Sequence, residues 1–148
     1  MAKLILTGKY IPIVGEGKAR WNNVHVADLA DVYRLLIEAA VAGKKDDSEM
    51  WGPKAYYLTE NGEHLWSDIA AEMGKTAESK GFVGGEALER RSLSREEALD
   101  QAGFEAESWG MNSRAKSIRP KKVLGWQPTR PSLEDSISLI VEQEYARL

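Results

Sequence analysis

The chain has 148 residues, enough for one domain burying roughly 68–70% of the surface its unfolded form exposes. Against 23 Asp and Glu stand 20 Lys and Arg, a formal charge of -3 with both signs interspersed, which argues against nucleic acid or a membrane surface as the main partner, since each needs a concentrated basic face. There is no cysteine, which excludes disulfides, thiolate nucleophiles and cysteine-based metal sites, and no apolar run long enough to span a bilayer, so the expected location is cytoplasmic.

The chain opens on the apolar run Lys3-Leu4-Ile5-Leu6, and Tyr10-Ile11-Pro12-Ile13-Val14 is strand-like with a proline that favours an edge. Gly15-Glu16-Gly17-Lys18 reads as a turn and Asn23-Val24-His25-Val26 as a short strand. Asp28 is placed to cap a helix over 28–42, with Leu29, Val32, Leu36 and Ala40 on one face and Gly43 at its end. A polar connection over 43–49 follows, and then the β-rich run Tyr56-Tyr57-Leu58-Thr59, bounded by Pro53 and Asn61-Gly62. Leu65, Ile69 and Met73 recur every four residues in a helix that Gly74 stops, and 81–85 is a loop. Ser94-Arg95-Glu96-Glu97 is a capping box opening a short helix that ends at Gly103. Pro120 starts another through Leu124, and Ser132-Leu133-Glu134-Asp135 opens the last helix, with Leu133, Ile137, Ile140, Val141 and Leu148 facing inward. The fold class is α/β, helix-rich with a few short strands, in a single domain over 1–148.

Candidate chemistry is sparse. Gly15-Glu16-Gly17-Lys18-Ala19-Arg20 begins like a dinucleotide loop but has arginine at the third glycine position and leads into a strand. Gly81-Phe82-Val83-Gly84-Gly85-Glu86-Ala87 follows polar residues rather than a buried strand, so both read as turns or loops. His25 and His64 are the only histidines, too few for a three-ligand zinc centre, and no metal site is expected. His25 alternates with Val24 and Val26 and is either a structural or a ligand-facing histidine; His64, at a helix start, reads as exposed. No Gly-x-Ser-x-Gly elbow occurs, and Tyr10, Tyr33, Tyr56 and Tyr57 are followed four positions on by Val14, Ile37, Glu60 and Asn61, never by lysine. Of 5 tryptophans, Trp66 and Trp126 read as core. Trp21 and Trp109 stand in polar loops beside Asn22 and near Asn112, and aromatic faces beside amides suit a small-molecule pocket.

Taken in order, Val14-Gly15-Glu16-Gly17, Trp21-Asn22-Asn23-Val24-His25-Val26-Ala27-Asp28-Leu29-Ala30-Asp31-Val32-Tyr33, Tyr56-Tyr57-Leu58 and Lys122-Val123-Leu124-Gly125-Trp126-Gln127-Pro128 resemble the C-terminal part of extended and atypical short-chain dehydrogenase/reductases, the NAD-dependent epimerase/dehydratase family. The Trp21-Asn22 pair and the stretch from Trp109 to Arg119 are most similar to a fungal-type branch. The resemblance implies the C-terminal, substrate-binding part of a Rossmann-type fold. The glycine-rich NAD or NADP loop and the catalytic Tyr-x-x-x-Lys belong to an N-terminal half that this chain does not contain. It implies no catalytic and no cofactor-binding residue here, and substrate contacts at Trp21, Asn22, His25, Trp109, Asn112 and Arg119. Sugar-nucleotide epimerases tend to carry arginine where Trp21 stands, which disfavours such substrates.

Two functions follow as expectations. One is the substrate-binding portion of an NAD(P)-dependent oxidoreductase, not redox-competent alone; the other is a stand-alone small-molecule binding module or non-redox isomerase-like enzyme. The expected partners are a small-molecule ligand and either the missing N-terminal half or a second copy in a homodimer. In the family the strand matching Tyr56-Tyr57-Leu58 pairs at the edge of the cofactor sheet and the 28–42 helix packs on the same half, so both would be left uncovered here.

Overall fold

The computed structural model describes residues 1–85 and 87–148, so Glu86 of the second glycine-containing stretch lies outside the described residues. The architecture is mixed α/β, helix-rich, with four short strands among the described residues. The chain condenses into two compact units, one of Met1–Trp21, His64–Ser113 and Glu134–Leu148, the other of Asn22–Glu63 and Arg114–Leu133.

In the first unit the opening apolar run is a helix, α1 (Ala2–Gly8), which buries Ala2, Ile5 and Leu6 and is closed by Lys9 in the left-handed region. Next, β1 (Ile11–Val14) pairs in parallel with β4 (Arg90–Leu93), Ile11 opposite Arg90 and Val14 opposite Leu93. A parallel pair needs a crossover, and α3 (Trp66–Ser79) lies between the two strands in sequence and packs on β1. Helices α4 (Arg95–Ala102) and α5 (Phe104–Glu107), with a 3₁₀ turn at Ser108–Gly110, close a core of Val14, Leu93, Ala98, Ala106 and Trp109. From the C-terminal end, α7 (Leu133–Tyr145) adds Ile137 and Val141. Tyr145 of the same helix stacks on Phe82 at 3.9 Å, and Lys80 pairs with Glu142 at 2.6 Å.

The second unit is built on α2 (Val26–Ala39), which continues through a π turn at Ala40–Lys44 with Gly43 at φ 83°, and on α6 (Arg119–Leu124), which packs against α2. Pro120 lies in the first turn of α6, and Gly125, at φ 63°, caps its end and turns the chain into Trp126. The strands β2 (Arg20–Asn22) and β3 (Glu63–Leu65), most of whose residues belong to the first unit, form a second two-stranded sheet.

Several expectations change. Residues 23–26 are not a strand: β2 ends at Asn22 and α2 begins at Val26, with His25 as the N-cap and its imidazole Nδ1 accepting from the Ala27 amide at 3.1 Å. Gly74 does not stop its helix. A Cβ there would stand 2.7 Å from Ile11 Cγ1, so the glycine lets α3 lie directly on β1 and the helix runs on to Ser79. Residues 56–59 form no ladder among the described strands, although Tyr56 and Leu58 are exposed between less exposed neighbours. His64 is buried rather than exposed, its ring edge-on to Trp66 at 4.6 Å. Leu148 is exposed, because α7 has ended before it. The capping box at Ser94 and Glu97 forms with both of its hydrogen bonds, and Gly103, at φ 76°, ends α4 as read.

Candidate functional site

In the first unit, Trp21 and Asn112 come together although 91 positions separate them in sequence. Trp21 bridges Ser113 in a parallel sense, its indole N–H donates to the Met111 carbonyl at 2.7 Å, and the Arg20 amide donates to Asn112 Oδ1 at 2.8 Å. The Trp21 ring tilts against Trp66 at 5.8 Å, so Trp21, Trp66 and His64 form an aromatic row. The Trp66 indole N–H is buried without a hydrogen-bond partner. Trp109 is elsewhere: at 5% exposure it fills the core beside Val14 and Leu93, where its polar sequence neighbours gave no sign of burial.

In the second unit, Asn22, His25 and Arg119 each serve a different partner. Asn22 Nδ2 donates to the Thr59 carbonyl at 3.4 Å, and His25 caps α2. The Arg119 guanidinium donates to the Glu49 carbonyl and lies 5.9 Å over the ring of Tyr57, whose hydroxyl donates to the Met50 carbonyl at 2.9 Å. Burial pushes the Tyr57 hydroxyl above its ordinary pKa, and the Arg119 charge opposes that shift. Arg119 thereby lines a groove of about 430 Å³ with Lys54, Lys122, Glu49, Ile118 and Val123.

Two carboxylates escaped the functional reading. Asp28 has no exposed surface; it accepts from the Thr129 amide at 2.9 Å, the Thr129 hydroxyl at 3.3 Å and the Arg130 amide at 3.2 Å. The Trp126 indole donates to the Asp28 carbonyl at 2.9 Å, so the 24–30 and 124–130 segments are one hydrogen-bonded assembly. Glu60, 7% exposed, accepts from the amides of Gly62 at 2.9 Å and Ser117 at 3.3 Å, with Lys121 at 3.8 Å. The Gly62 amide foremost, and then Ser117 and Lys121, hold its carboxyl below the usual range against the opposing effect of burial. The joint presence of the two motifs was the available signal for Asp28; nothing local marked Glu60.

Gly15 and Gly17, at φ 60° and 70°, follow β1 but lead to β2, so no helix N-terminus is there to receive a pyrophosphate, and the 81–85 stretch follows a helix rather than a strand. Among the described residues, no group of three or more His, Asp or Glu could hold a metal ion, and no helix is long and apolar enough to cross a membrane.

The chain is similar to oxidase ucsJ of an Acremonium species, 35% identical over 140 residues. The matched stretch takes in 91% of this chain and 40% of that protein, so the chain spans about two-fifths of the length of its curated relative. No protein-family model and no solved structure matches it. The relative is distant and, by its name, of an oxidoreductase type.

Proposed function

We propose that the chain is the substrate-binding portion of an NAD(P)-dependent, epimerase/dehydratase-like oxidoreductase of Rossmann type, whose nicotinamide is held by residues outside these 148. The observation that carries this reading is the 35% identity along nearly the whole chain to two-fifths of a protein named an oxidase. The hydrogen-bonded assembly of Asp28 with Trp126, Thr129 and Arg130 supports it, because it gives a physical reason for the two most family-like motifs to occur together. On this reading Trp21 and Asn112, which the first unit brings together, contact a small molecule. Trp109 contributes by packing. Redox chemistry then waits on the residues outside these 148.

Two measurements test it. Calorimetry of the isolated chain with NADH and NADPH is expected to show no saturable binding, since among the described residues no glycine-rich turn opens a helix; micromolar affinity would overturn the reading. The natively expressed protein is expected to have about two and a half times the mass of this chain, the ratio set by 40% coverage of the relative. A native species of 16.5 kDa would instead favour a stand-alone binding module.

A further inference from the structure

We infer that the groove between the 48–54 loop and α6 is a phosphate-binding site, reading the phosphate group of a small organic ligand through Arg119, Lys54 and Lys122. The inference does not depend on the oxidoreductase reading, because all of these residues belong to one compact unit.

Charge is the first ground. The lining carries three cations, Lys54, Arg119 and Lys122, and one carboxylate, Glu49, which leaves two positive charges facing about 430 Å³ of open space. Neighbouring cations are neutralised internally, Lys121 by Glu60 and Arg114 by Glu63, whereas none of the three in the groove belongs to an ion pair among the described residues. Convergent unpaired cations repel one another, and an anion that lies among them removes that repulsion. A dianion matches the net charge of the groove, whereas a carboxylate would leave half of it uncompensated.

Orientation is the second ground. Arg119 is half-buried and pinned: part of its guanidinium donates to the Glu49 carbonyl, and the Tyr57 ring lies beneath it. The loop that presents that carbonyl is itself fixed, since Asp47 Oδ1 accepts from the Glu49 amide at 2.8 Å and the Asp47 carbonyl accepts from the amides of Met50 and Trp51 at 3.0 and 2.9 Å. The remaining guanidinium donors are pre-set as a fork suited to phosphate oxygens, and the two flexible lysines can close from the sides. Ile118 and Val123 give the same groove an apolar wall, which an ester-linked group can cover and an inorganic ion cannot.

The test is an amide-resolved NMR titration of the full chain at constant ionic strength, with inorganic phosphate, phenyl phosphate and acetate as probes. Saturable shifts confined to residues 48–54 and 118–123 are expected with both phosphates, with phenyl phosphate about tenfold tighter than inorganic phosphate. Lowering the pH below about 6 should weaken phenyl phosphate as it becomes a monoanion. The double variant Lys54→Gln, Lys122→Gln removes two exposed side chains without a folding role and should weaken binding by about tenfold or more; Arg119→Lys keeps the charge but loses the fork and should also weaken it. Equal affinity for both phosphates would mean that the source is free phosphate and would overturn the ligand-borne part. Absence of saturation, or acetate binding as well as phosphate does, would overturn the site itself.

Discussion

Asp28 shows how much one buried side chain can hold. Its carboxylate satisfies three donors on Thr129 and Arg130 while its own backbone carbonyl receives the Trp126 indole. From the sequence it reads as a helix cap, because Asp before an apolar periodicity is a common cap; the cap is His25, three residues earlier, and the donors Asp28 serves lie about a hundred residues away, where local rules have no reach. Asp28→Ala leaves those part-buried donors without their acceptor and should cost about 1–3 kcal/mol in urea unfolding. Glu60 makes a different prediction. Its folded carboxyl is held below the ordinary range of about 4.3, so its contribution is present above that pH and is lost as pH falls through the folded value. The stability gap between the wild type and Glu60→Gln should therefore be constant above about pH 5 and shrink as pH falls below about 4, as read by denaturation at a series of pH values.

At the level of elements, what was legible was what short-range chemistry decides. The Ser94 and Glu97 capping box, the proline-led α6 and the amphipathic α7 rest on residues within one turn of each other, and they form where the sequence places them. The parallel pairing of β1 with β4 was not legible, because the partner of Ile11 is Arg90 and the exposed Arg90-Arg91-Ser92 run carries no strand signature. Gly74 failed for the opposite reason. A glycine in a helical pattern signals a stop or a close approach, and only the packed neighbour distinguishes them. Alanine at 74 gains about 1 kcal/mol of helix propensity, but its Cβ would overlap Ile11 Cγ1 and Cδ1, an overpacking cost of about 1–3 kcal/mol. Gly74→Ala should thus lower the urea midpoint, and the double variant with Ile11→Ala should be less destabilised than the sum of its parts. Simple additivity would mean that α3 shifts freely off β1.

For the whole molecule, the instructive surface is one that the second unit leaves uncovered. On α2, Val26, Tyr33 and Ile37 are spaced by seven and four residues and so share a face, and they are 74%, 62% and 64% exposed, while Val41, in the π turn that follows, is 85% exposed. In the same unit Tyr56 and Leu58, at 76% and 54% exposure, stand in a segment that joins no sheet among the described residues. The stripe expected to be left uncovered, Leu29, Val32, Leu36 and Ala40, is instead fully buried at Val32 and part-buried at the other three, so α2 carries apolar residues on both sides. A helix apolar on two sides in a chain with a formal charge of only -3 has little to oppose association. Covering roughly 400 Å² of apolar surface contributes about 10 kcal/mol gross, comparable to the cost of bringing two chains together, so the balance is set by the side chains on that face. Sedimentation of the 148-residue chain at tens of micromolar, well inside the range such a balance gives, is expected to show a dimer. Ile37→Glu places a charge at the centre of the stripe without touching the core, and should weaken the dimer by about a hundredfold while leaving the unfolding midpoint of the monomer unchanged. A wild type that stays monomeric at those concentrations would mean that neither the exposed face of α2 nor the 56–58 segment seeks a second copy.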